Sequence, residues 1–171
     1  MRRLLVAVAI VSAAFGMAAV PADPCGDKLL VIGRRVKRVP QAKHPASVLL
    51  YMRPGYALPT AAKEMDLEST LRQAGHKVDI VDQEDRLRGQ LAAGRYDFVL
   101  ADLPDTAPVS REAGNGPGAP EVVPVAYKAD KAVLRSSRQR YPLVVQAGRS
   151  RSYLSALDKA MRQREEAGTA R

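Results

Sequence analysis

The 171-residue chain has no tryptophan, two phenylalanines, one cysteine and two histidines. With Cys25 alone, no intramolecular disulfide can form, and no Cys/His zinc spacing is present. In an oxidising compartment such a thiol is open to a mixed or intermolecular disulfide. So few large aromatics leave no set of stacking platforms for single-stranded nucleic acid. The sequence also lacks a G-x-S-x-G elbow, a Ser/His/Asp constellation and any repeat of solenoid period, so a hydrolase is the last of the functions considered. No cofactor or metal is expected.

Long uncharged runs are confined to the start of the chain. Arg2 and Arg3 precede the apolar stretch Leu4 to Phe15, and small residues follow at Ala18, Ala19 and Ala22, the pattern of a secretory signal over residues 1–22. Pro21, Asp23 and Pro24 come too soon for the roughly 20 apolar residues of a membrane span. Cleavage after Ala19 or Ala22 both fit. A lipoprotein is the lesser option, because Asp23 and Pro24 precede Cys25 where small or aliphatic residues are required. Removing two arginines and no acid lowers the formal charge from +9 to +7. The surplus favours an acidic partner in the envelope: anionic lipid, a polyanionic polymer or the acidic face of a protein. Nucleic acid is disfavoured for an exported chain.

Residues 23–45 read as a basic N-terminal extension. Lys28 to Ile32 is a short apolar run, an edge strand or a packed segment. Arg34, Arg35, Lys37 and Arg38 then interleave with Val36 and Val39, a candidate anion-binding stretch that reads equally as a solvated face. The domain proper spans residues 46–166, with a frayed tail at 167–171. Ser47 to Met52 is a continuous apolar strand, followed by an amphipathic helix from about Thr60 to Ala74 ended by Gly75. Val78 to Val81 is a second strand, and Asp82 or Glu84 opens a second helix that stops at Gly94. Tyr96 to Asp102 is the buried central strand. From Asp105 to Pro120 three prolines and three glycines predict a long loop in place of most of a third helix. Glu121 to Ala126 is a fourth strand in which Pro124 points to a strand start, a bulge or a partly free edge. Asp130 to Gln139 is a helix, Tyr141 to Gln146 a fifth strand, and Ser150 caps a last helix. His44 and His76 read as surface loop positions. This alternation predicts an α/β domain, a three-layer doubly wound sandwich around a mostly parallel five-stranded sheet.

Asp102 would stand at the carboxyl end of the central strand, the edge where open α/β sheets place their sites. Arg53, Lys128, Tyr51 and Tyr127 would join it there. Asp102 has two readings: a structural acceptor for loop N–H groups, or part of a ligand site paired with Arg53 or Lys128.

The five-fold alternation, the acid ending V-L-A-D-L-P and the passage L-R-Q-A-G-H-K-V resemble the receiver domain of two-component response regulators over about Ser47 to Arg164. The resemblance implies sheet order 2-1-3-4-5, and Asp102 falls where that family carries its phospho-accepting aspartate. The family's acidic pair, which holds Mg²⁺, is replaced by Met52-Arg53. Its Thr or Ser after the fourth strand is replaced by Ala126-Tyr127-Lys128, and its Lys-Pro by Ala147-Gly148. The expectation is an exported, non-enzymatic, phosphorylation-independent receiver-like module that binds a protein or anionic partner. The alternative is a small-ligand binding protein with its pocket near Asp102.

Overall fold

The runs Val48–Tyr51 and Phe98–Ala101 have no exposed face, and the chain lays them side by side at the centre of a sheet. The computed structural model describes residues 39–169. In order these form β1 (Ser47–Tyr51), α1 (Ala57–Glu64), α2 (Leu67–Gln73), β2 (Lys77–Val81), α3 (Glu84–Ala92), β3 (Phe98–Asp102), α4 (Leu103–Ala113), β4 (Glu121–Tyr127), α5 (Lys131–Arg140), β5 (Val145–Ala147) and α6 (Ser150–Thr169). The sheet is ordered β2-β1-β3-β4-β5 and every pairing is parallel, which is the flavodoxin-like arrangement. The expected signal segment, Cys25, the expected strand or packed segment Lys28–Ile32 and the basic stretch Arg34, Arg35, Lys37 and Arg38 lie outside the described residues. No helix among the described residues is long and apolar enough to cross a membrane.

Two cores follow from strand alternation. Val48, Leu50, Phe98, Leu100, Val123 and Val125 point to one face and pack with Leu58, Leu67, Leu71, Tyr153 and Leu157 from α1, α2 and α6. Leu49, Tyr51, Val99 and Ala101 point to the other and pack with Leu87 of α3 and Val109 of α4. Right-handed crossovers put α5 on that second side, where Leu134 is its buried apolar residue.

Several elements differ from the sequence reading. The first helix is two, broken at Met65-Asp66, with Asp66 left-handed at φ 46°. The step of two from Met65 to Leu67 does not fit a 3.6 period, and the break lets Leu67 and Leu71 reach the core that Leu58 and Ala61 already face. The expected loop over 105–120 begins as the 11-residue α4. Pro104 sits in the first turn, where its missing N–H costs nothing, and Pro108 is exposed, so water can satisfy the carbonyl it leaves free. Asp105, Thr106 and Val109 are buried beneath it.

Pro124 lies inside β4, opposite Ala101. Because the Glu121 amide donates to the Asp97 carbonyl on the β3 side, alternation turns the Pro124 nitrogen toward β5. Pairing with β5 starts only at Val125, so the first half of β4 has an open edge on that side. The fifth strand is confined to Val145–Ala147, Ser150 is the first residue of α6 and not its cap, and α6 runs on to Thr169, into the expected frayed tail.

Candidate functional site

β3 delivers Asp102 to the carboxyl edge of the sheet, but the side chain is 3% exposed. Both carboxylate oxygens accept from the Leu58 amide, at 3.0 and 2.9 Å. Leu58 is the second residue of α1, and the helix's own flanking residue, Tyr56, makes no side-chain capping bond. Asp102 therefore caps α1 from a neighbouring strand, where an anion is also favoured by the helix dipole. Burial pushes its carboxyl above the ordinary range, the Leu58 amide opposes this, and the Asp105 charge adds to the rise. The Asp102 carbonyl accepts from the Thr106 hydroxyl at 3.0 Å, tying β3 to α4.

The other expected members are divided among different contacts. Arg53 reaches Asp105, not Asp102: Nη1 donates to Oδ1 at 3.0 Å, and the guanidinium lies 5.0 Å from the Tyr56 ring centre. Asp105 is the buried partner of this pair, and its Oδ2 has no hydrogen-bond partner among the described residues. Tyr51 is 4% exposed and belongs to the second core; burial, then the Asp105 charge, raise its phenol. Tyr127 donates to Glu64, and Lys128 sits 4.6 Å from the Tyr127 ring centre with Nζ 4.0 Å from Glu64. Lys128 has φ 49°, the left-handed region, at the point where the chain leaves β4. Arg53 and Lys128 thus each have their own carboxylate.

Three participants were not singled out from sequence. Asp105 becomes visible as a first-turn acid only once α4 is recognised as a helix. Glu64 looked like one of several charges outside an apolar stripe. Tyr153 reads as an apolar stripe residue, yet its hydroxyl is buried with no hydrogen-bond partner among the described residues, and burial, then the Asp102 charge, raise its phenol.

His76 is not a surface residue. It is 4% exposed, its Nδ1 accepts from the Ala46 amide at 3.1 Å, and burial lowers its imidazole. His44 is partly buried, with Nδ1 3.1 Å from Glu165. No group of three or more His, Cys, Asp or Glu side chains among the described residues is placed to hold a metal ion.

Cavities occur away from Asp102. One of about 400 Å³ follows β5 and is lined by Gln146, Ala147, Gly148, Arg149 and Ser152. Another of about 390 Å³ lies along α5, and a third of about 510 Å³ lies beside α6. None of these three has Asp102 in its wall. No protein-family model, no curated protein and no solved structure matches this chain, so its fold is read from the topology itself.

Proposed function

We propose that this chain is an exported, non-enzymatic, receiver-like module that binds an anionic partner through a basic face and needs no phosphorylation. The observation that carries the reading is the engagement of the Asp102 carboxylate by the Leu58 amide. A carboxylate buried as a helix cap is not presented to a phosphodonor, and Met52-Arg53 supplies no acid beside it. The geometry leaves this edge of the sheet with a structural network.

Charge points to the other side of the molecule. Between Lys128 and Arg164 ten basic residues face two acids, whereas between Glu64 and Asp85 seven acids face two bases. Four of the first group, Lys131, Arg135, Arg138 and Arg140, lie on α5, the crossover into the edge strand β5, and four of the second, Asp79, Asp82, Glu84 and Asp85, lie in or just after β2, the opposite edge strand. On α5, Lys131, Arg135 and Arg138 recur at i, i+4 and i+7, line one groove and have no carboxylate partner among the described residues. Unpaired cations on one helical face raise the local potential and draw acidic partners, an effect screened beyond about 8 Å at physiological salt.

The test is binding of the full chain to phosphatidylglycerol vesicles over a salt series. Wild type should bind and weaken steeply with salt, Lys131→Gln/Arg135→Gln/Arg138→Gln should bind less with a shallower slope, and Asp102→Asn should bind as wild type does. Equal, salt-independent binding by all three would refute the reading. The alternative of a small-ligand protein is favoured by one observation, the cavity after β5, and predicts binding insensitive to the α5 substitutions.

A further inference from the structure

The cavity beside α6 is built differently from the α5 groove. One wall is the segment that leads into β1, held in place at successive residues. The Gln41 amide group donates to the Gln73 carbonyl at 3.0 Å, and the Ala42 amide donates to the Ala74 carbonyl at 2.8 Å. The Lys43 and His44 amides both donate to Asp158 Oδ1, at 3.0 and 3.2 Å, and the Ala46 amide donates to His76. The facing wall is one side of α6, where Arg151, Ser155, Lys159 and Arg162 share a face.

Cations thus approach the cavity from two elements. Lys43, Arg151 and Lys159 have no carboxylate partner among the described residues, and Arg162 has only an exposed contact with Glu166 at 3.7 Å. Asp158 is the one carboxylate in the wall, and its Oδ1 already accepts two amides. Positive charges facing one another across a cleft sum their potentials, unlike charges spread along a convex helix. Arginine supplies a planar fork and lysine a point charge, the two donor types that hold phosphate oxygens. The volume of about 510 Å³ is that of a small-molecule site and exceeds what one orthophosphate fills.

We infer that this cleft binds a small anion carrying two or more linked oxyanion groups, of the diphosphate class. The site shares only the sign of its charge with the α5 face and stands independently of it.

The experiment is calorimetric titration of the full chain with pyrophosphate and with orthophosphate at low ionic strength. The proteins compared are wild type, Arg151→Gln/Lys159→Gln, Lys43→Gln and Arg135→Gln/Arg138→Gln. Pyrophosphate should bind wild type at one saturable site and more tightly than orthophosphate. The Arg151/Lys159 variant should weaken it by about tenfold or more, and Lys43→Gln by less, as loss of charge-assisted contacts implies. The α5 variant should match wild type. These side chains project into the cleft and not the core, and Lys43→Gln keeps the backbone bond to Asp158, so folding is retained. Equal affinity for the two anions, no saturable binding, or an unaffected Arg151/Lys159 variant would overturn the site. Pyrophosphate binding in a protein that ignores phosphatidylglycerol vesicles would support this cleft while refuting the α5 face. Displacement of pyrophosphate from Arg135→Gln/Arg138→Gln by vesicles containing cardiolipin, whose headgroup links two phosphates, would identify the oxyanions as lipid headgroups; no displacement would identify a soluble anion.

Discussion

Replacing Asp102 with alanine removes the acceptor that holds the start of α1 to the end of β3. The Leu58 amide it serves is far from water, since Leu58 is 0% and Asp102 3% exposed. An unsatisfied buried donor costs about 1–3 kcal/mol, and loss of a helix cap about 0.5–2 kcal/mol. These describe one interaction and are not added. Against them stands the cost of burying an ionised carboxylate beside Asp105, which the raised pKa reports. The net expectation for Asp102→Ala is a loss of about 1–2 kcal/mol, or roughly 3–6 °C in Tm for a domain of this size. Asp102→Asn keeps a carbonyl acceptor of the same shape without the charge and should lose less than half as much. The pH dependence has a definite sign. With the folded pKa above the unfolded one, the folded chain binds the extra proton between the two values, so wild-type stability falls as pH rises through the folded pKa. Neither variant has that slope, and Asp102→Asn should gain on wild type as pH rises from the ordinary carboxylate range through the raised folded pKa. Urea unfolding followed by circular dichroism across that range measures both effects. An alanine variant as stable as wild type, or an asparagine variant as damaged as the alanine one with no pH-dependent difference, would refute the capping role.

His76 titrates in the opposite sense. Its folded pKa lies below the ordinary 6.5, so its contribution is complete above 6.5 and is lost as pH falls from there through the folded pKa; His76→Gln, which retains an acceptor for the Ala46 amide, should flatten the decline in urea midpoint as pH falls below 6.5. Small phosphodonors with Mg²⁺ should leave no adduct on Asp102, and an intact-mass increase absent from Asp102→Asn would contradict this. Phe98→Ala, at a fully buried position between β1 and β4, should cost about 3–5 kcal/mol in the same unfolding assay. N-terminal sequencing of the exported form should begin between Val20 and Asp23; recovery of Met1 would remove export from the proposed function.

Much of the fold was legible because it rests on local rules. Short continuous apolar runs at Ser47–Met52 and Tyr96–Asp102, bounded by turn residues, read as strands covered on both faces, and Gly75 and Gly94 end the helices before β2 and β3, at φ 102° and 64°. Where the reading failed, tertiary contacts had outweighed a local breaker. Pro108 is tolerated because the opposite side of α4 buries Asp105, Thr106 and Val109, and Pro124 because β5 is too short to pair with its nitrogen. The helix over 60–74 broke because both segments had apolar residues to bury, Leu58 and Ala61 in α1 and Leu67 and Leu71 in α2.

By itself, the sequence determined the α/β alternation, the position of Asp102 at a strand end and the lack of an acidic pair just after the first strand. All of these depend on residue type and spacing within a few turns. Only the tertiary structure decided what Asp102 touches, because its partner is 44 residues away along the chain. The same holds for the pairing of Arg53 with Asp105, 52 residues apart, and for the burial of His76 beneath the segment leading into β1. Net charge is likewise a property of composition. Its separation into an acidic β2 edge, a basic α5 face and a cleft beside α6 arises from the fold, whose strand order puts β2 and β5 at opposite edges of one sheet.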